Sequence, residues 1–197
     1  MTRIFKFGGA SVKDAAGIRN VAQIIQKEGG ENNLVVVVSA LGKSTNALEK
    51  ILNLAYKGLD FSEPLEDLKQ IHKEIATDLF GSDSTESVDA LDRYFLRLYF
   101  QLSKCSTMAF DMAYDQVVSF GEYLSTLLVY QYLRKKEIPV SYQNARFLIK
   151  TDLTWREGGV HLEETAKHIQ KELEPILKSQ LVLTQGFIGG TKNGFLT

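Results

Sequence analysis

Lys6-Phe7-Gly8-Gly9-Ala10-Ser11 gathers a cation, two glycines and a hydroxyl just after the apolar run Ile4 to Phe7. Glycines at the carboxyl end of a strand let backbone N–H groups approach phosphate oxygens near a helix N-terminus, and Lys6 would add a point charge. Taken alone, the same residues also fit a tight strand-to-helix bend with a solvated lysine. A dinucleotide fingerprint is excluded on spacing, because it needs G-x-G-x-x-G and only the adjacent pair Gly8-Gly9 is present.

Three further segments share this character. Ser39-Ala40-Leu41-Gly42-Lys43-Ser44-Thr45-Asn46 follows a second apolar run. Its Gly42-Lys43-Ser44 imitates the tail of a Walker A loop, but the position of the leading glycine falls on Val37, so it is not a P-loop. The hydroxyls of Ser39, Ser44 and Thr45 suit a carboxylate or phosphate at a helix start; Ser44 or Thr45 equally suits a plain N-cap. Glu122 in Ser119-Phe120-Gly121-Glu122-Tyr123-Leu124-Ser125 opens a helix that is apolar on most sides, where an unpaired carboxylate is costly and calls for a cationic or N–H partner. A glutamate that merely complements a helix dipole is the alternative. Thr184-Gln185-Gly186-Phe187-Ile188-Gly189-Gly190 is a strand end running into a glycine-rich turn, either a further wall of one crevice or a plain loop.

The elements that must position these segments follow from periodicity. Ile4 to Phe7, Leu34 to Val38 and Leu181 to Thr184 are short apolar runs of the kind that form buried parallel strands, the second expected to be covered on both faces. Between the first two, Ile18, Val21, Ile24 and Ile25 recur at helical spacing behind Asp14 as a cap, giving a right-handed βαβ unit. Ala47, Leu48, Ile51, Leu52 and Ala55 mark a second helix. From about 63 to 134 the pattern is helical almost throughout, broken at Gly81-Ser82-Asp83-Ser84, and reads as a helical insertion on an α/β sheet. Ile138 to Tyr142 suits an edge strand beside Pro139. Leu162 to Leu177 suits a helix with a Glu163–Lys167 pair and a kink or break at Pro175. Asn193 to Thr197 reads as the start of another extended segment.

Composition removes several function classes. With 23 Lys+Arg against 24 Asp+Glu the net charge is -1, so no global basic field attracts nucleic acid or an anionic membrane. One cysteine, Cys105, rules out an internal disulfide and suits a cytoplasmic protein; His72, His161 and His168 are scattered without metal spacing, so no metal ligand is assigned. These residues and Trp155 are expected to be packing or surface residues. No run approaches the roughly 18 apolar residues of a membrane span.

In order and spacing, the four segments resemble aspartokinases of the amino acid kinase family. Lys6-Phe7-Gly8-Gly9-Ala10-Ser11-Val12 is similar to their opening Lys-Phe-Gly-Gly-Thr-Ser-Val, Val37-Val38-Ser39-Ala40 with Thr45-Asn46 to the second motif, Phe120-Gly121-Glu122 with Leu124-Ser125 to the third, and Gln185-Gly186-Phe187-Ile188-Gly189 to the fourth. The resemblance implies a three-layer α/β/α fold with a mainly parallel sheet plus a helical insertion at about 60–135. It implies a cytoplasmic enzyme that uses ATP and Mg²⁺ to convert L-aspartate to 4-phospho-L-aspartate at the head of lysine, threonine and methionine biosynthesis, homo-oligomeric in its full-length form. Carried over, Lys6 neutralises the transferring phosphoryl group, Gly8, Gly9 and Ser11 contact it, Ser39 and Thr45 hold aspartate, Glu122 meets its ammonium, and Phe187 walls the pocket. Ala10 departs from the family's threonine, removing one hydroxyl near the phosphates. The resemblance further implies that residues 1–197 are the N-terminal, substrate-side part of the domain. A Gly-Arg-Gly-Gly-Ser-Asp segment, the nucleotide-binding half and ACT domains would follow, so the fragment alone is expected to be inactive. Two alternatives stay open: an amino acid kinase acting on glutamate, acetylglutamate or a nucleotide, and a non-catalytic aspartate-binding regulatory module.

Overall fold

A computed structural model describes residues 1–28 and 33–197. Strands β1 (Arg3–Phe7), β2 (Leu34–Val38), β3 (Val140–Tyr142) and β4 (Leu181–Gln185) form one sheet in the order β1-β2-β4-β3, with every neighbouring pair parallel. Register places Phe7 beside Val38 and Val38 beside Gln185, so the carboxyl ends of three strands finish level. All loops leaving those ends therefore share one edge of the sheet, which is where open α/β sheets bind ligands.

Helix α1 (Ala15–Glu28) begins where expected, because the Asp14 carboxylate accepts the Gly17 N–H at 2.8 Å. Its apolar stripe of Ile18, Val21 and Ile25 is fully buried, at about 1.5–3 kcal/mol for each side chain removed from water. Next come α2 (Ser44–Tyr56), α3 (Ser62–Phe80), α4 (Thr85–Ser103), α5 (Phe110–Val118) and α6 (Phe120–Lys135). The Gly81 turn separates α3 from α4 as the sequence predicts, with Gly81 at φ 60. Of these helices α6 lies on the sheet itself, against β2, β3 and β4, while α3, α4 and α5 pack on one another and on α2. The main core joins the sheet to α1, α2 and α6; a second core of Leu148, Leu173, Leu177 and Val182 joins the opposite face to α7 (Ala145–Leu148) and α8 (Leu162–Leu177). Helices on both faces of a parallel sheet make the three-layer α/β fold that the sequence predicts.

Four local expectations change. β1 is parallel but not buried along its length: it is an edge strand in which Ile4 is exposed and only Phe7 is buried. β2 alternates, with Leu34, Val36 and Val38 buried and Val35 and Val37 half-buried, because α8 covers its second face only in part. α8 runs through Pro175 to Leu177: a proline this close to the C-terminus forfeits one hydrogen bond without ending the helix. Glu163 and Lys167 are exposed, and no ion pair joins them among the described residues. β3 is the edge strand anticipated beyond Pro139. The last segment turns back at Gly194 (φ 80), so that Gly189 and Thr197 exchange backbone hydrogen bonds. His72 and Cys105 are buried and the other two histidines lie at the surface.

Candidate active site

The loop Ser39–Gly42, leaving β2, is the point on which all four sequence segments converge. From one side, the Ser39 N–H donates to the Phe7 carbonyl and the Gly42 N–H to the Gly9 carbonyl, both at 3.1 Å. Gly9 is held so close that a Cβ there would sit 2.8 Å from the Ala40 carbonyl oxygen. Gly8, by contrast, faces open space with nothing within 4 Å of an added Cβ. The two glycines therefore differ in kind: Gly9 seats one loop on the other, and Gly8 leaves an approach to the backbone beside exposed Lys6 and Ser11.

On the other side stands the first turn of α6. A Cβ on Gly121 would meet the Ala40 Cβ at 2.9 Å, and the Ser125 hydroxyl donates to the Ser39 carbonyl at 2.8 Å. These contacts seat Glu122 deep in the fold, 4% exposed. Burial pushes its carboxyl up to about 7, only partly offset by its own N–H and that of Ala40, and Oε2 has no hydrogen-bond partner. A buried carboxylate with an unused oxygen is energetically unfavourable unless a cation completes it. Thr45 lies in the first turn of α2, half-buried; the N-cap position is Lys43, so neither Ser44 nor Thr45 is the cap residue.

The third wall comes from β4. The Gly186 N–H donates to the Val38 carbonyl at 3.0 Å, and a Cβ added to Gly186 would come to 3.8 Å from the Ser39 hydroxyl oxygen. Gln185 is buried, accepting the Ala145 N–H and donating to the Tyr142 hydroxyl. Phe187 follows at φ 59 and is 74% exposed, lining a cavity of about 330 Å³ with Gln185, Asp115 and Arg156. Phe187 thus combines a left-handed backbone, uncommon for a bulky residue, with an exposed side chain.

Asp115 and Arg156 did not stand out in the sequence. The Asp115 carboxylate is buried and accepts the Arg156 N–H at 2.8 Å, while the Arg156 guanidinium lies 4.3 Å from the Tyr114 ring centroid. Burial raises the Asp115 pKa, and the Arg156 contact works against that rise. The one available signal was an acidic residue between the buried Ala113 and Val117 of a short amphipathic helix.

A parallel sheet flanked by helices, with an accessible glycine, a lysine at the end of β1 and a buried, incompletely partnered carboxylate at the start of α6 gathered at its carboxyl edge, defines an α/β domain with a candidate small-molecule site. The chain belongs to the amino acid kinase family, whose sequence model matches residues 1–197. It is 29% identical to lysine-sensitive aspartokinase 3 of Escherichia coli over 98% of this chain and 42% of that protein. It is 34% identical to chloroplastic aspartokinase 2 of Arabidopsis thaliana over 68% of this chain and 25% of that protein. The structure of E. coli aspartokinase III in complex with aspartate and ADP superposes with a TM-score of 0.88 at 26% identity, covering 100% of this chain and 43% of that one. The complex of the same enzyme with lysine and aspartate gives 0.86. This chain thus spans less than half the length of these relatives. No helix among the described residues is long and apolar enough to cross a membrane.

Proposed function

We propose that the full-length protein is an aspartate kinase, transferring the γ-phosphoryl group of ATP to the side-chain carboxylate of L-aspartate. Residues 1–197 would be the N-terminal, substrate-side part of its catalytic domain, with the helices at about 60–135 as an insertion. The nucleotide-binding half and ACT domains would be carried by other residues. The observation that carries the reading is the Glu122 carboxylate, buried with Oε2 unpartnered beside the Ser39–Ala40 backbone: it suits the ammonium of an amino acid substrate. Similarity to the aspartate complexes of E. coli aspartokinase III supports the choice of amino acid.

In the proposed reaction an aspartate carboxylate oxygen bonds to the γ-phosphorus, the bond from that phosphorus to the β–γ bridging oxygen breaks, and ADP leaves. The nucleophile is already an anion, so no general base is needed; the protein supplies position and charge stabilisation. Lys6 offsets charge on the phosphoryl oxygens. The open face of Gly8 admits a phosphate that a Cβ would obstruct, and Gly9 and Ser11 offer N–H and hydroxyl contacts. Ser39 and Thr45 hold the substrate, Glu122 binds its ammonium, and Phe187 closes the pocket over it. Among the described residues no group of three or more His, Cys, Asp or Glu is placed to hold a metal ion. Mg²⁺ is accordingly proposed to arrive with the ATP phosphates, and no step is assigned to it through this chain. Cytoplasmic location, homo-oligomerisation of the full-length protein and a place at the head of lysine, threonine and methionine biosynthesis belong to the same proposal.

The test is ADP release by the full-length protein against aspartate, glutamate, acetylglutamate and nucleoside monophosphates. Aspartate alone should support turnover, and Glu122→Gln should raise the aspartate KM by about tenfold or more while leaving the ATP KM unchanged. Turnover with glutamate but not aspartate would sink the reading; saturable aspartate binding without turnover would favour the regulatory module. The 197-residue chain alone is expected to show no aspartate-dependent ADP release.

A further inference from the structure

A second polar cavity, of about 190 Å³, lies between α4, the start of α6 and α7, and none of the residues assigned above to phosphate or aspartate lines it. Its wall carries two guanidiniums, Arg97 and Arg146, together with the side chains of Gln116, Tyr123 and Asn144, and no Asp or Glu. A buried guanidinium nitrogen without an acceptor is costly unless something anionic joins it, and Arg146 Nε is such an atom.

Each arginine has hydrogen-bonding capacity to spare. Arg146 spends Nη2 on the Gly194 carbonyl, yet its Nε is buried with no partner. Arg97 is exposed beside the Tyr94 ring, 5.6 Å from its centroid, and has no carboxylate partner among the described residues. Both guanidiniums are close enough to Tyr123 to pull its phenol pKa down against the larger upward push of burial. The acceptors nearby are already used. The Asn144 amide oxygen takes the Arg146 N–H at 3.0 Å and the Tyr123 hydroxyl at 3.4 Å, and the Gln116 oxygen takes the Leu196 N–H. What the cavity still offers is a set of donors with positive charge.

We propose that this cavity binds a small oxyanion, phosphate or a short dicarboxylate, held between Arg97 and Arg146. Two guanidiniums present parallel N–H pairs that match two oxygens of one anionic group. The volume lies well below the ~300 Å³ at which pockets for drug-sized ligands begin, which limits the occupant to a compact ion. The inference does not depend on the aspartate kinase reading, because it uses none of that site's residues.

The experiment measures thermal denaturation and titration calorimetry of the full-length protein with sodium phosphate, sodium succinate and sodium chloride at equal ionic strength. It is run on wild type, Arg97→Gln, Arg97→Lys and Lys6→Met. Phosphate or succinate, but not chloride, should bind saturably, and the one that does names the source of the oxyanion. Arg97→Gln should weaken that binding by about tenfold or more, Arg97→Lys by less, and Lys6→Met should leave it in place. Because Arg97 is exposed, the unliganded melting temperature of its variants should match wild type, separating lost binding from lost folding. Absence of saturable binding by either anion at millimolar concentration overturns the proposal, as does an affinity unchanged by Arg97→Gln. Loss in Lys6→Met alone would assign the anion to the Lys6 turn instead.

Discussion

Gly121 sits against Ala40 so tightly that a Cβ on the glycine would come to 2.9 Å from the alanine Cβ. Neither atom is the end of a flexible side chain, so relief requires α6 or the β2–α2 loop to move. Gly121→Ala should gain up to about 1 kcal/mol in helix propensity and lose about 1–3 kcal/mol to overpacking, for a net loss. Urea denaturation reads the stability, and a rise in aspartate KM reads displacement of Glu122, the next residue. A variant as stable as wild type with unchanged KM would show that this contact does not set the site.

The two glycines of the first loop should separate stability from chemistry. Gly9→Ala drives a Cβ into two backbone carbonyls, of Ala40 at 2.8 Å and Gly42 at 3.2 Å, and is expected to cost more than 1 kcal/mol. Gly8→Ala meets nothing within 4 Å and takes extended backbone (φ -75, ψ 170), so its stability should stay within about 0.5 kcal/mol of wild type. If Gly8 serves the approach of phosphate, Gly8→Ala nonetheless raises the ATP KM or lowers kcat. Full activity in Gly8→Ala would remove Gly8 from the proposed site.

Phe187 invites the opposite experiment. The residue is 74% exposed and contributes little burial, while φ 59 costs a bulky residue about 1–2 kcal/mol. Asparagine tolerates that conformation, so Phe187→Asn should raise the melting temperature slightly, and the proposed role requires the aspartate KM to rise with it. A stabilised variant with unaltered KM would leave the strain without a function.

The strands and the four loops were legible because their signals are local: an apolar run followed by glycine, hydroxyl or charge is written within ten residues. Asp14 was readable as a cap for the same reason. What was not legible depends on distance. Nothing in Leu34 to Val38 says that α8 covers only part of one face, and nothing near Phe187 says that its ring stands in solvent. Arg97 and Arg146 lie on different helices and come to line one cavity only through packing. Asp115 and Arg156 join in the same way, across a loop that the sequence left without features. Pro175 misled because the proline rule is written for helix interiors, whereas here the helix has only two residues left to run.

Buried carboxyls and a buried histidine should set opposing pH slopes on stability. Glu122, raised to about 7 from 4.5, binds its proton more tightly folded than unfolded, so between those pH values stability falls as pH rises. Asp115, raised by burial, acts in the same sense. His72, fully buried with its Nδ1 2.7 Å from the Leu68 carbonyl oxygen, is lowered by desolvation to about 4 from 6.5. Its unfolded form therefore takes up a proton that the folded form refuses, and between about 4 and 6.5 stability rises with pH. Each shift corresponds to about 3 kcal/mol across its window. The Glu122 and His72 windows overlap from 4.5 to 6.5, where their slopes oppose each other and Asp115 adds to the falling side, and above 6.5 the wild-type profile should fall towards pH 7. Glu122→Gln keeps an acceptor for the Ala40 N–H, removes the charge, and should uncover the histidine slope: a profile rising with pH to about 6.5 and a protein more stable than wild type at pH 8. His72→Phe should uncover the converse, a profile falling from pH 4.5 to 7. Urea midpoints of the three proteins across pH 4.5–8 decide it; parallel profiles would mean that neither group carries the shift its burial dictates.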